Sequence, residues 1–290
     1  MARAKAEICS FYGVSPIHAG SGASTAAVDL PIQRERHTNW PHIQASAVKG
    51  AMRAHYRMMK GTTDDMIHII FGSDEQDNWD INKDALKGAI SVSDAKLLAF
   101  PMRSNIAPFV WITSPAIMRR FFMDLEYTEI DGEGFDPTSL ESLGEEEAVA
   151  INTEMGKKDI IIEDSVVKPK ESLKIEAFQK YFPFLNRLLC VSDAMFSYCV
   201  DHSTEVQTHI KIDAEKGIAT KGALRYEELL PADSLLYSVV LFGQSAYEIE
   251  DRAKAETIRN EVKSQIMDFM QIGGDETLGK GICKVQWIGG

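Results

Sequence analysis

Cysteine is scarce in this chain and scattered. Cys9, Cys190, Cys199 and Cys283 show no CxxC spacing, which disfavours both a zinc site and a disulfide framework. Reduced, buried, small apolar side chains are the expectation for all four. No window approaches the roughly 18 apolar residues that a membrane helix needs. The opening MARAKAE lacks the apolar core of a signal peptide, so a cytoplasmic protein without a membrane partner is expected. The seven histidines contain no H-E-x-x-H or paired-ligand spacing, and His68, inside an apolar run, reads as a core residue. No repeat of solenoid period appears.

Two motif near-matches also fail on what they lack. Residues 274–281, GDETLGKG, approach the phosphate-cradling G-x-x-x-x-G-K-[ST]. Gly281 stands where a hydroxyl would ligate magnesium, and Asp275 and Glu276 would repel phosphate, so a nucleotide-hydrolase reading is excluded. What remains is a tight turn offering backbone amides and Lys280. Ser46-Ala47-Val48-Lys49 matches S-x-x-K, but the companion S-D-N and K-T-G motifs of serine acyl enzymes are missing.

What the chain does have is ordinary globular composition and a very uneven charge distribution. Of its 290 residues, 44% are hydrophobic and 26% charged, with 31 Lys+Arg against 43 Asp+Glu. Residues 124–164 hold 14 acids and only Lys157 and Lys158 as bases, which accounts for the whole net charge of −12 and leaves the remainder neutral. Residues 30–63 contain six bases (Arg34, Arg36, Lys49, Arg53, Arg57, Lys60) against Glu35 alone, beside His37, His42 and His55. Such a segment can bind a polyanion despite the global sign, though composition alone favours a solvated charged face.

The pattern predicts mixed α and β structure. Alternation over 7–14 reads as a strand, and the nine small residues 19–27 as a flexible loop. Ser46 is the expected cap of a helix to about Met59, with Lys49, Arg53, Arg57 and Lys60 within an 80° arc (at 100° per residue) opposite Val48, Met52 and Tyr56. Strands are expected over 89–100, 110–113, 158–163, 235–242 and 282–288. Ser114-Pro115 opens a helix through about Leu125. Residues 208–213 and 218–224 read as a β-hairpin turning at Lys216-Gly217, and 248–270 as a long helix. The acidic stretch reads as an irregular, partly disordered insertion. The sum is an α+β sandwich, one sheet with helices on one face, and a ferredoxin-like core with insertions fits it.

One acid stands out. Asp29 follows the small-residue loop and precedes the basic segment, and His18 begins the same loop. A carboxylate and an imidazole at the mouth of a basic groove suit chemistry on a phosphodiester. By spacing alone, a turn cap and a surface histidine are the favoured descriptions.

The blocks Ile17-His18-Ala19-Gly20-Ser21-Gly22, then Val28-Asp29-Leu30-Pro31-Ile32-Gln33-Arg34-Glu35-Arg36-His37-Thr38, then Ser46-Ala47-Val48-Lys49-Gly50-Ala51-Met52-Arg53 resemble the signature of a known family. With Ile70-Phe71-Gly72, Ser91-Val92-Ser93-Asp94-Ala95, Thr113-Ser114-Pro115, Tyr226-Glu227-Glu228 and the glycine loop of 271–281, the resemblance covers nearly the whole chain. It is to the RAMP superfamily and, within it, to the backbone subunits of type III-B (Cmr) CRISPR ribonucleoproteins. Asn39-Trp40 and Gln44-Ala45 depart from the family pattern.

The resemblance implies a single RAMP domain over 1–290. It would have a ferredoxin-like, RRM-related palm (mainly 6–123 and 226–290) and an insertion and β-hairpin thumb over about 124–225. It implies partners: a CRISPR guide RNA, complementary target RNA, copies of the chain in a helical filament, and other Cmr subunits. It implies endoribonuclease activity, cutting target RNA at regular intervals with Asp29 and a divalent metal, magnesium or alternatively manganese. His18 and the pair Glu227 and Glu228 correspond to the family's other site residues. Arg34, Arg36, His37, Ser46, Lys49, Arg53, Arg57 and Lys280 are the candidate RNA contacts. The alternatives are a catalytically silent guide-binding scaffold and a guide-processing RAMP endonuclease.

Overall fold

A computed structural model describes residues 5–73, 87–154, 158–220, 222–245 and 254–289. Its centre is four antiparallel strands in the order β14 (Ile282–Ile288), β1 (Lys5–Gly13), β12 (Leu235–Phe242), β4 (Ala95–Met102). Helix α1 (Ala45–Met58) lies in the connection from β1 to β4, and α6 (Ala255–Gln265) in that from β12 to β14. Each connection therefore straddles a central strand of the other. Among the described residues the sheet reaches twelve strands. It continues from β4 through β5 (Val110–Thr113), β9 (Leu188–Val191), β6 (Glu147–Ile151) and β8 (Ser165–Pro169) to β7 (Ile160–Ile162). The pairs β5–β9 and β6–β8 are parallel.

Helices cover both faces of the central strands rather than one. Residues 7–11 of β1 are all buried, so neither face of that strand is wet. On one face Glu7 binds Arg259 and Lys263 of α6, and Tyr56 of α1 donates to Glu261 of α6. On the other, α3 (Pro115–Tyr127) lays Phe121 against Tyr237 of β12, with ring centroids 5.1 Å apart, and against Phe178 and Phe182. Asp124 of α3 takes the Tyr237 hydroxyl and Lys96. Strands buried on both sides lose the simple alternation from which a one-sided sheet is read.

Several local expectations change for physical reasons. Ser46 does not cap α1; the cap position belongs to Gln44, and the Ala45 amide is satisfied by Asp94 from the β3–β4 turn. Lys60 lies beyond the end of that helix. The predicted long helix over 248–270 is described only from Lys254. It stops at Gln265, because Asp268–Gln271 pairs as an edge strand, β13, with β14. The strand expected over 89–100 breaks at Ser93-Asp94 into β3 (Ile90–Val92) and β4. The acidic stretch is folded where described: Leu140, Ala148–Ile151, Ile160 and Ile162 are buried, and it contributes β6 and β7. Ser114 does cap α3, accepting from the Ile117 amide. All four cysteines are buried and free, and His68 is buried in α2 (Asp64–Phe71). Among the described residues no helix is long and apolar enough to cross a membrane.

Phe121 is fully buried and joins α3 to the sheet and to the Phe178–Phe182 segment. Phe121→Ala should lower the unfolding free energy by about 4 kcal/mol, measured by chemical denaturation of the chain, and Phe121→Leu by much less.

Candidate functional site

A separate two-stranded ribbon, β10 (Glu205–His209) with β11 (Arg225–Leu229), organises the polar residues. The ribbon is a hairpin with its paired strands nearer the sheet than the predicted 208–213 and 218–224. Beyond them the chain runs to a turn at 213–217, closed by Gly217 N–H to Asp213 O, where Gly217 takes a positive φ. Ile210, Ile212, Ile218 and Leu224 on this ribbon are each more than half exposed.

The other edge of β11 holds the two loops that matter. Leu30 pairs in parallel with Glu227, and Ile17 pairs with Leu230. Leu30 N–H donates to Tyr226 O, and Glu228 N–H to Leu30 O. Asp29 Oδ2 accepts from the Tyr226 amide at 2.7 Å; the carboxylate is half-buried, and its second oxygen has no partner among the described residues. His18 Nδ1 lies 2.8 Å from the Glu228 carbonyl. A carbonyl can only accept, so Nδ1 carries the proton and Nε2 holds the lone pair of the neutral ring. Nε2 faces Gly20, where a Cβ would come within 2.7 Å of it. The glycine loop between β13 and β14 clasps the same segment. Gly274 N–H donates to His18 O, Gly281 N–H to Pro16 O, and a Cβ on Gly273 would fall 2.4 Å from His18 O. These amides are committed to the chain itself, so the loop is a clamp and not a phosphate cradle.

Successive residues of a strand face opposite ways, which separates the acidic pair. Glu227 is 2% exposed and faces His18 Nδ1 at 3.3 Å and His209 Nε2 at 2.9 Å, with the Asp275 carboxyl within hydrogen-bonding reach. Burial first, and then Asp275, raises the Glu227 pKa above the ordinary carboxylate range, against the pull of the two imidazoles. Glu227 Oε2 and His209 Nε2, though close, are off the line of a hydrogen bond, and neither has another partner. A buried carboxylate with an unbonded oxygen is costly, and such atoms concentrate where a ligand or reaction uses them.

Glu228 turns the other way and is structural. Its carboxylate accepts from Arg34 at 2.7 Å, the Ile32 amide at 3.0 Å and Thr204 at 2.8 Å. Burial opposes its ionisation, but the bonds from Arg34, Ile32 and Thr204 outweigh it and hold the pKa below the usual value. Arg34 is occupied throughout, bonding also Asn39 O, Val200 O and Asp201. Trp40 is buried, under the Arg120 guanidinium and against Phe196, and Asn39 at φ 61° bonds Asp201, so the Asn39-Trp40 departure from the family pattern serves this packing.

The remaining candidate contacts lie apart from the acids. Arg36 is exposed, and His37 is exposed beside Arg120 and Glu35. On α1, Ser46 and Arg57 are exposed. Lys49 is half-buried and reaches Ile90 O; its pKa is lowered by burial and then by Arg53 and Lys87 beside it. Lys280 sits half-buried in the glycine loop. Reasoning from sequence missed His209 and Asp275. Strand alternation in β10 was the available signal for His209, and Asp275 carries no signal in the sequence that ties it to Glu227.

A family model for the RAMP superfamily matches residues 10–284. The chain belongs to the RAMP superfamily. It is 32% identical, over 97% of its length and 95% of the relative's, to the CRISPR system Cmr endoribonuclease Cmr4 of Pyrococcus furiosus. Among solved structures it is similar to oligomeric Cmr4 from P. furiosus, with a TM-score of 0.74 at 28% identity, covering 98% of each chain. It also shares the fold of a chain in the type III-B Cmr-beta complex bound to cognate target RNA, with a TM-score of 0.80 at 23% identity, covering 99% of each.

Because the folded RAMP chain binds the Glu228 proton less readily than the unfolded chain, this carboxylate stabilises the fold fully above its ordinary pKa of 4.5, and the contribution is lost as pH falls through the lower folded value. Glu228→Gln should cost about 3 kcal/mol at neutral pH and flatten the acid side of the stability curve, as read from urea unfolding at several pH values.

Proposed function

We propose that this RAMP chain is a guide-RNA-binding backbone subunit of a type III-B CRISPR ribonucleoprotein, stacking with copies of itself and cutting complementary target RNA at regular intervals. The observation that carries the reading is the convergence on β11: Asp29, His18 and Glu227, far apart in sequence, all hang on one five-residue strand at the root of the exposed ribbon. The names of the relatives support it: Cmr4 of P. furiosus is named an endoribonuclease and was solved as an oligomer, and a chain of the Cmr-beta complex was solved with target RNA. In this reading the β14-β1-β12-β4 sheet with α1 and α6 is the ferredoxin-like palm, its order and two split crossovers being those of that topology. The β10–β11 ribbon is the thumb, and its exposed Ile and Leu side chains supply the apolar surface that displaces a base.

RNA carries its own nucleophile in the 2′-hydroxyl, so the protein must chiefly hold the backbone in line and manage protons and charge. The Nε2 lone pair of His18 suits removal of the hydroxyl proton, and its Nδ1 proton is anchored on the Glu228 carbonyl so that the ring keeps this tautomer. Glu227 braces the same Nδ1 edge. Among the described residues no group of three or more metal-donor side chains is arranged to hold an ion, the cluster around Glu227 included. That excludes an all-protein cage but fits magnesium or manganese held by Asp29 with RNA phosphates and water, as is usual for such ions. When bound, the ion would supply positive charge at the phosphate.

Guide contact falls to the α1 side, where Lys49, Arg53 and Lys87 crowd like charges that a phosphate would relieve. Arg36, His37, Ser46, Arg57 and Lys280 offer further exposed or half-exposed contacts.

In the reconstituted complex with magnesium, Asp29→Ala should abolish regularly spaced cutting by at least about a hundredfold while assembly and target binding persist. Persistent cutting would reduce the chain to a scaffold. Lys49→Glu with Arg53→Glu should weaken guide binding at least about tenfold in a filter or fluorescence assay and lower its salt dependence; unchanged binding would refute this groove.

A further inference from the structure

We infer that His209 is a positioning residue for the cleavage reaction, holding Glu227, and through it the ring of His18, from the root of the hairpin ribbon. The inference rests on the reading of Asp29, His18 and Glu227 as the cleavage site.

Glu227 is almost wholly enclosed, and the partners that face it come from three separate elements: His18 on the loop after β1, His209 on β10, and Asp275 on the glycine loop. Two imidazoles bracket the carboxylate, one at each oxygen: His18 at Oε1 and His209 at Oε2. A carboxylate gripped at one oxygen alone can swing about its last bond. Hydrogen bonded at both, it would present a fixed edge to His18 Nδ1 and so fix the plane in which Nε2 is offered. His209 is not opposite Glu227 in the ribbon; Gln207 is, and His209 reaches across diagonally from two residues further toward the tip. It therefore samples the pose of the ribbon. Its ring nitrogen lies 2.9 Å from Oε2 without the alignment of a hydrogen bond, so a small rotation of the ribbon or ring closes the bond. Contacts of this kind commonly tighten only in the substrate complex. His209 itself is about a quarter exposed and its ring nitrogen lies against Glu227, so it acts on the reaction through that carboxylate.

The test is single-turnover cleavage by the reconstituted, guide-loaded complex at saturating target, with target affinity measured alongside. His209→Ala should lower the maximal rate roughly ten- to a hundredfold with the target dissociation constant unchanged. His209→Gln, which restores a side-chain N–H donor, should recover most of the loss. In a Glu227→Gln background, His209→Ala should add little, since the route through Glu227 is already cut. If His209→Ala weakens assembly, His209→Gln against His209→Leu, similar in size but differing in the donor, makes the same comparison. A rate within about twofold of wild type for the Leu variant, or losses that multiply with Glu227→Gln, overturns the inference. Asp29→Ala run in parallel separates the two claims: if it is inactive while His209 variants cut normally, only the brace fails. If Asp29→Ala cuts, the site reading and the brace fall together.

Discussion

The constraint on which the rest depends is the double pairing of β11. Five residues are hydrogen bonded on one edge to the ribbon strand β10 and on the other to the chain at Leu30 and Ile17. A strand has two edges and two faces, and here all four are used. One edge carries a protruding ribbon, and the other two loops that hold Asp29 and His18. One face turns Glu227 toward the histidines, and the other turns Glu228 toward Arg34. A slip of one residue would exchange the two faces and place Glu227 in the pocket that Glu228 occupies. The Glu228 cluster is what forbids that slip, because only in this register do Arg34, Thr204 and the Ile32 amide all find the same carboxylate. Buried ion pairs are weak evidence for net stability, but fixing register is among their best-attested uses.

The charge distribution is consistent with that division of labour. The acids of 124–164 carry the entire net charge, yet many are answered locally: Asp124 by Lys96, Glu133 by Lys180, Glu141 by Arg119, Glu147 by Lys170, Glu163 by Arg103. Most of these pairs are exposed and contribute little to stability. Their effect is to keep the excess acid bound into a folded extension of the sheet, whose edge strands lie at the far end from β14 and α1.

Much of the fold was legible where one physical signal dominated. Ser114-Pro115 announced α3 because cap and fixed φ act locally, and 235–242 announced β12 because a strand buried on both sides is uniformly apolar. Legibility failed where tertiary pairing overrode local preference. Asp268–Gln271 looks like the end of a helix and becomes a strand only because β14 offers an edge. Ser46 looks like a cap, but Asp94, distant in sequence, satisfies the first turn instead. At the site, Asp29 and His18 could be singled out from a small-residue loop beside a basic segment. Their convergence with Glu227 could not, since it depends on a long-range parallel bridge between Leu30 and Glu227. Nor could the different surroundings of Glu227 and Glu228, which are a matter of strand parity and of which face meets Arg34.

The pairing of Glu227 with Asp275 bears on how an acidic site tolerates a polyanion. Burial, and then the Asp275 carboxyl beside it, pushes Glu227 toward its protonated form. A protonated Glu227 presents one negative charge fewer to an approaching phosphate. Asp29 stands outside this cluster, half-buried and with one oxygen without a partner among the described residues. Burial therefore sets Glu227, at 2% exposure, apart from Asp29 and Asp275, which are both half-buried. Under the proposed function, one accessible carboxylate beside an enclosed one suits a site that must both bind and cut RNA better than a dense acidic cluster would.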